Sequence, residues 1–168
     1  MRDFIILTDT RQQKEKHITK LFDEAGIMHA QTKLESGDYM AVRYNEEKGF
    51  YKDYTTLIDT KKDLLEMCGN LCRSSEHKRL VNEVELAHKL GCKDFIFLIG
   101  EKDIKSIEDI KNWSSKYTKI KGHVLLKTIQ TFKEHHDCRF IIASKKDLGN
   151  KVIDLLTKKW YNLSGCVI

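Results

Sequence analysis

Three short apolar runs constrain the fold of this chain more than any other feature of its sequence. Phe4–Leu7, Phe95–Ile99 and Phe140–Ala143 are each continuous in apolar residues. A strand that is covered on both faces has this appearance, whereas a helix of that character is longer. Apolar residues with helical spacing fill segments between and after the runs, over residues 12–25, 64–71, 80–90, 104–113, 124–132 and 146–160. Buried strands that alternate with helices predict a sheet with helices on both faces.

A different pattern follows the first predicted helix. Ile27–Leu34, Tyr39–Tyr44 and Tyr54–Ile58 are rich in β-forming residues and are separated by the polar loops Glu35–Asp38 and Asn45–Gly49. Such runs favour a small antiparallel set of strands. The fold class predicted by the whole chain is therefore α/β, with a mixed central β-sheet flanked by helices.

Length and composition narrow the class of protein further. The chain has 168 residues, no proline and nine scattered glycines, so we expect a single globular domain over 1–168. The net charge of +5 permits an anionic partner without requiring one. Five cysteines without a CxxC pair, and the lack of an apolar run of membrane or signal-peptide length, predict reduced thiols in a soluble, cytoplasmic protein.

Acidic residues stand at three strand ends, where α/β proteins often carry their ligands. Asp9 follows the first strand, Asp38 precedes the third and Asp59 ends the fourth. Because side chains alternate along a strand, Asp59 and Lys61 should point to the same face. Each aspartate also has a simpler interpretation: Asp38 as a turn residue, Asp59 and Lys61 as an exposed ion pair, and Asp9 as a helix cap.

Two carboxylates and a lysine at one place suit phosphodiester hydrolysis. Carboxylate oxygens are the ligands that Mg²⁺ prefers, and a bound divalent cation lowers the pKa of water and stabilises charge on phosphate oxygens. A neighbouring lysine such as Lys61 can orient or deprotonate the attacking water. We therefore expect Asp38, Asp59 and Lys61 to form one site.

Several motifs in the same order resemble the nuclease domain of the XPF-type structure-specific endonucleases, which belong to the PD-(D/E)xK superfamily. They are Asp9-Thr10-Arg11, Leu34-Glu35-Ser36-Gly37-Asp38-Tyr39 and Ile58-Asp59-Thr60-Lys61. The similarity continues through Arg79, Glu83 and Glu85 into the strand at 95–99, and it covers about residues 3–157.

The resemblance implies a fold and an activity. The fold would be restriction-endonuclease-like, and the activity a Mg²⁺- or Mn²⁺-dependent DNA endonuclease, acting on branched or flap structures in repair or recombination. Asp38 and Asp59, with the backbone carbonyl of Thr60, would hold the metal. Lys61 and Asp9 would complete the catalytic set. RNA as a substrate and homodimerisation stay open.

The chain also departs from the family pattern. Asp59 and Thr60 stand where relatives have Glu and Arg, and the position of the trailing acid holds Leu65, with Asp63 two positions early. These changes favour the alternative of a catalytically silent DNA-binding or scaffold module that retains the nuclease fold. No room is left for a helix-hairpin-helix module, so a stand-alone domain like those of phages or mobile elements is expected, in the host cytoplasm if phage-encoded.

Other residues are candidates for supporting roles. Arg11, Glu35 and Asp63 are possible accessory residues of the site, with a salt bridge, a solvated surface acid and a helix-start acid as the respective alternatives. Glu15 is a further acid of this kind. For nucleic-acid binding the candidates are a helical arginine and the lysines of a segment that contains Tyr117, namely Arg79, Lys116, Lys119 and Lys121. A solvated loop is the alternative for that segment.

A zinc site can also be drawn from the sequence. Cys68 and Cys72 are one helical turn apart and His77 follows. Without a second close pair of ligands, core packing is the more common explanation of such a pattern.

Overall fold

A computed structural model describes residues 4–11 and 16–163 of the chain. Six strands and five α-helices follow each other within these residues. In chain order they are β1 (Phe4–Asp9), α1 (Lys16–Glu24), β2 (His29–Thr32), β3 (Tyr39–Asn45), β4 (Gly49–Lys61), α2 (Leu64–Cys72), α3 (Ser74–Lys89), β5 (Asp94–Gly100), α4 (Gly122–His136), β6 (Cys138–Ala143) and α5 (Leu148–Leu163).

The strands form one mixed sheet in the order β2-β1-β3-β4-β5-β6. β3 is antiparallel to both β1 and β4, whereas β4, β5 and β6 run parallel to one another. The predicted mixed sheet is therefore confirmed. Because β4, β5 and β6 are parallel, their carboxyl ends lie at the same end of the sheet.

One part of the predicted antiparallel set is wrong. β2 pairs in parallel with β1 at the edge of the sheet, and it covers only His29–Thr32. Helix α1 is the physical reason, because a helical crossover after β1 returns the chain in the same direction. β4 is also longer than predicted: Gly49, at φ +66°, makes the tight turn that lets residues 49–53 continue the hairpin with β3.

Both faces of the sheet carry an apolar core, as the continuous apolar strands require. On one face α2, α3 and α4 contribute side chains such as Met67, Leu80 and Phe132. On the other face α1 and α5 contribute Phe22 and Val152. The helices on both faces confirm the predicted fold class.

The segment 104–113 is not the helix that its periodicity suggested. Only Glu108–Asn112 form a short 3₁₀ turn. The turn lies against the start of α4, where the Gly122 amide donates a hydrogen bond to the Trp113 carbonyl at 3.0 Å. A Cβ atom on Gly122 would lie 2.1 Å from the Ile110 carbonyl oxygen, so this packing requires glycine. No helix in the described ranges is long and apolar enough to cross a bilayer.

Candidate active site

The end of β4 presents a buried ion pair. Asp59 and Lys61 point to the face covered by α2, α3 and α4, and only 3% and 5% of their surfaces are exposed. The Lys61 Nζ lies 2.6 Å from Asp59 Oδ2 and 5.8 Å from the centre of the Phe97 ring on β5. The alternative of an exposed, weak ion pair is therefore wrong for these two residues, since both are shielded from water.

The carboxylate of Asp59 has Lys61 as its charge partner. Among the described residues, the Lys61 ammonium lies 2.6 Å from the buried Oδ2 atom, and no second donor reaches that oxygen. Burial raises the pKa of Asp59 well above its usual value, and the charges of Asp38 and Glu83 add to this effect against the opposing influence of Lys61. Burial lowers the pKa of Lys61, yet the carboxylates of Asp59, Asp38 and Glu83 outweigh it and leave this pKa raised.

Asp38 is held beside this pair by a glycine turn. Gly37 has φ +71°, and a Cβ atom there would lie 3.2 Å from the Ile58 carbonyl oxygen, so glycine allows the turn to approach β4. The Asp38 amide then donates to that Ile58 carbonyl at 2.7 Å. Asp38 Oδ2 accepts hydrogen bonds from the amide and the hydroxyl of Thr60, both at 2.7 Å. Asp38 therefore lies against the residue between Asp59 and Lys61.

Asp9 has a different environment at the end of β1. Its carboxylate, 1% exposed, accepts hydrogen bonds from the backbone amide and the guanidinium of Arg11 and from the Leu34 amide, at 2.7 to 2.9 Å. Burial would raise the pKa of Asp9, but these hydrogen bonds outweigh it and lower the pKa. Asp9 thus fixes the chain that leads into the Gly37 turn, and its amide bonds to the Asp38 carbonyl at 2.8 Å.

Glu83 on α3 is a site residue that the candidate set lacks. Its carboxylate accepts a hydrogen bond from the Gly37 amide at 3.3 Å, and its backbone carbonyl accepts one from the Ser36 hydroxyl at 3.0 Å. Its charge also raises the pKa of Lys61 and of Asp59. The sequence signals were its place four residues after Arg79, on the same face of a helix, and its inclusion in the stretch that resembles the XPF-type nuclease domain.

The accessory candidates lie in separate surroundings. Arg11 is bound to Asp9 and donates to the Leu34 carbonyl at 3.1 Å. Glu35 pairs with Lys52 at 3.2 Å. Asp63 caps α2, accepting a hydrogen bond from the Glu66 amide at 2.9 Å, which is the helix-start role considered for it. Glu15 lies outside the described residues.

The nucleic-acid candidates lie on two elements. Arg79 is exposed on α3 and is paired with Glu76 at 2.8 Å, and the nearby charges of Glu83 and Asp59 help to raise its pKa after the larger effect of Glu76. The lysines Lys116, Lys119 and Lys121 are all exposed in the segment between the 3₁₀ turn and α4.

The zinc interpretation is not supported. Within residues 4–11 and 16–163, no three His, Cys, Asp or Glu side chains are arranged to hold a metal by themselves. Burial raises the pKa of the Cys68 thiol to about 11, and a ring nitrogen of His77 contacts the Leu71 carbonyl at 2.9 Å. Cys68 is therefore a thiol packed in the core, in agreement with the core-packing explanation of this pattern.

The carboxylates of Asp59 and Asp38 are the residues at the end of β4 that would hold a hydrated divalent cation. Asp59 Oδ2, paired with the Lys61 ammonium, supplies a buried anionic oxygen, and the Asp38 carboxylate lies close enough to raise the pKa of Asp59. Mg²⁺ keeps several waters, so it does not need a complete protein cage. The Thr60 carbonyl remains a predicted ligand, because the observed contacts to Asp38 are made by its amide and hydroxyl.

The fold and these contacts define a mixed α/β domain in which a hairpin places two aspartates and a lysine at one edge of the sheet. The family model of the ERCC4 domain matches residues 8–155. The chain therefore belongs to the ERCC4-domain family, and the resemblance to XPF-type nuclease domains is confirmed. No curated protein sequence matches the chain.

Solved structures with the same fold include XPF from Aeropyrum pernix. It superposes with a TM-score of 0.60 at 10% sequence identity, over 95% of this chain and 68% of that one. A structure of that protein in complex with DNA gives a TM-score of 0.62 at 9% identity, over 94% and 66% of the two chains. This chain thus spans about two thirds of their length.

Proposed function

We propose that this domain is a metal-dependent DNA endonuclease that hydrolyses phosphodiester bonds. The observation that carries the proposal is the buried Asp59–Lys61 ion pair with Asp38 beside it. Burying an ion pair costs desolvation free energy, and ionisable groups with strongly shifted pKa values concentrate at functional sites. Membership of the ERCC4-domain family supports the same activity.

The residues would divide the work as follows. Asp38 and Asp59 would hold Mg²⁺ or Mn²⁺, which supplies charge stabilisation at the phosphate and activates water when bound. Lys61 would orient the attacking water, because its ammonium is fixed at the Asp59 carboxylate. Asp9, bound to Arg11 and to the Leu34 amide, would keep the Asp38 turn in place.

DNA is the substrate class that we propose. The XPF structure from Aeropyrum pernix that shares this fold is a complex with DNA, and the present chain carries a net charge of +5. Arg79 and the three exposed lysines at 116, 119 and 121 would contact phosphates. Branched or flap DNA is the structure that the family implies, and RNA is a separate outcome of the same assay.

A silent DNA-binding module is the second candidate. The observation that favours it is the use of Asp63 as the cap of α2, while Leu65 stands at the family position of the trailing acid. In this candidate the cation site would have no function. Titration calorimetry with Mn²⁺ separates the two proposals, because a silent module has no reason to bind the cation.

The direct test is cleavage of labelled single-stranded, duplex, flap and fork DNA and of single-stranded RNA, with and without Mn²⁺. We expect cation-dependent cleavage of DNA that is lost in Asp38→Asn and Asp59→Asn. Asp94→Asn is the matched control, because Asp94 is bound to Arg139 at the opposite end of β5. Cleavage retained by both site variants would contradict the mechanism.

A further inference from the structure

A cavity opens next to the candidate active site, beside α2. Its volume is about 860 Å³, within the range of roughly 300–1,000 Å³ that small-ligand sites occupy. Thr60 lines it, and the amide and hydroxyl of the same residue hold the Asp38 carboxylate. A group bound in the cavity would therefore lie one residue from the proposed catalytic carboxylates.

The charged residues of the cavity wall cancel. Three cations and three acids contribute, namely Lys62, Arg73, Lys145, Asp63, Glu66 and Glu76. A phosphate group would be favoured by an excess of cations, as at typical anion sites. The balanced wall favours an uncharged, polar group instead.

Asn70 is a residue of the cavity wall with a buried hydrogen-bond acceptor. This residue of α2 lines the cavity and is 8% exposed. Its Oδ1 atom is shielded from solvent and has no hydrogen-bond partner among the residues that the structure describes. A buried acceptor without a partner is destabilising, so a ligand with an N–H group would gain by binding Oδ1 once the Asn70 amide turns toward the cavity.

The rim of the cavity carries an exposed aromatic ring. Tyr117 is 73% exposed, lines the cavity, and has the Lys116 ammonium 5.1 Å from its ring centre. Gly69 also lines the cavity and leaves room there, because among the described residues the nearest atom that a Cβ would meet outside the helix's own backbone is the Arg73 guanidinium carbon at 4.0 Å. The cavity thus combines a stacking surface, a nearby cation and open space.

We propose that this cavity binds one unpaired nucleobase of the strand that is being cleaved. A base is flat, uncharged and polar, it stacks on aromatic rings, and every base has an N–H group that Asn70 can accept. The inference rests on the proposed nuclease function and adds the recognition of an unpaired nucleotide beside the scissile phosphate. Lys116, Lys119 and Lys121 would then contact the phosphates that flank this nucleotide.

The test is a binding measurement without divalent cation, so that cleavage plays no part. The probes are a fluorescein-labelled single strand of deoxycytidines and a strand of equal length made of abasic sites, which has the same charge. We expect the wild-type protein to bind the cytosine strand about tenfold more tightly, the scale of one stacked base. Equal affinity for the two strands would overturn the inference.

Substitutions at Tyr117 test whether the preference for the cytosine strand arises in the cavity. Tyr117→Ala should remove most of the tenfold preference, whereas Tyr117→Phe should keep it because the ring remains. Tyr51→Ala is the matched control: Tyr51 is also exposed and also lies near a lysine, with the Lys48 ammonium 5.9 Å from its ring centre, but it is on the β3–β4 hairpin. A loss in Tyr51→Ala equal to that in Tyr117→Ala would place the stacking elsewhere and overturn the inference.

A second pair of variants fills the cavity or removes its hydrogen-bond acceptor. Gly69→Leu puts a side chain into the open space and improves helix propensity, so it should abolish the preference without lowering the melting temperature. Asn70→Leu removes the acceptor at similar volume and should weaken cytosine-strand binding several-fold. An unchanged preference in both variants, with folded protein shown by melting, would contradict the assignment.

The outcomes separate the two proposals. A protein that prefers the cytosine strand yet cleaves no substrate with Mn²⁺ supports the cavity and contradicts the nuclease function. A protein that cleaves DNA but binds both strands equally supports the nuclease function and overturns the cavity. A protein that binds neither strand overturns the cavity, while the cleavage assay decides the nuclease function independently.

Discussion

Two buried aspartates in this protein share a local pattern and differ in almost everything else. Asp9 is the last residue of β1 and Asp59 lies near the end of β4, and each is followed two residues later by a cation, Arg11 or Lys61. Asp9 accepts hydrogen bonds from Arg11 and from the Leu34 amide. Asp59 has the Lys61 ammonium as its ion-pair partner, and no other donor in the described part of the chain reaches its buried Oδ2 atom. The difference teaches that burial and a nearby cation do not by themselves define a functional carboxylate.

The pKa values of the two aspartates are shifted in opposite directions. The pKa of Asp9 is lowered because its hydrogen bonds outweigh burial. The pKa of Asp59 is raised because burial, with Asp38 and Glu83, outweighs Lys61. Asp9 therefore stabilises the fold as an anion, whereas Asp59 is an anion that the fold stabilises poorly and that a cation would stabilise well.

The largest expected effect is on cleavage. Asp59→Asn should reduce the rate of Mn²⁺-dependent DNA cleavage by about a thousandfold, the scale on which loss of one preorganised charge-stabilising group acts. Asp9→Asn should reduce this cleavage rate by less than about tenfold, because Asp9 affects cleavage only by holding the turn that carries Asp38. Rates are compared at a temperature at which both variants are folded. Equal losses in the two variants would remove the distinction between them.

Both variants should lose stability, for different reasons. Asp9→Asn should lower the free energy of unfolding by about 2 kcal/mol, since it weakens several hydrogen bonds to a charged, buried carboxylate. Asp59→Asn should lower it by about 3 kcal/mol, because it leaves the buried Lys61 ammonium without its counter-ion. Urea unfolding of both variants measures this. An unchanged free energy of unfolding in Asp59→Asn would mean that the Lys61 contact does not stabilise the fold.

The sequence predicts those parts of the fold and of the candidate site that depend on the pattern within a single strand. Alternation within β4 places Asp59 and Lys61 on one face, and the apolar runs identify β1, β5 and β6, because these patterns are local. The parallel pairing of β2 was missed because a short, half-exposed edge strand carries no signal about its partner. The environment of Asp9 was equally hidden, since the Leu34 amide is 25 residues away.

Glu83 shows the same limit within the site. Its contact with the Gly37 amide joins residues 46 apart, and nothing in the pattern of α3 distinguishes this glutamate from a solvated one. The resemblance to the XPF-type nuclease domain includes Glu83 but assigns no role to it. The packing of α3 over the Gly37 turn brings its charge near Asp59 and near Arg11.

Because Glu83 acts on both aspartate environments, its charge provides a further test. Glu83→Gln keeps the acceptor for the Gly37 amide, so the free energy of unfolding should change little. The loss of one negative charge should lower kcat for cleavage about tenfold, the equivalent of one pKa unit, without changing KM. A lower melting temperature with unchanged kcat would make Glu83 a structural residue only.

The smallest expected effect is the pH dependence of stability at Asp9. Because the folded-state pKa of Asp9 lies below the unfolded value, its stabilisation is present above about pH 4 and is lost as the pH falls through the folded-state pKa. Wild-type protein should therefore lose more stability than Asp9→Asn between pH 5 and pH 3, by less than the loss in Asp9→Asn itself, because part of that loss is geometric. Urea unfolding at a series of pH values gives both curves. Parallel curves would show that Asp9 is not the titrating anchor, and the contrast with Asp59 would then rest on hydrogen-bond geometry alone.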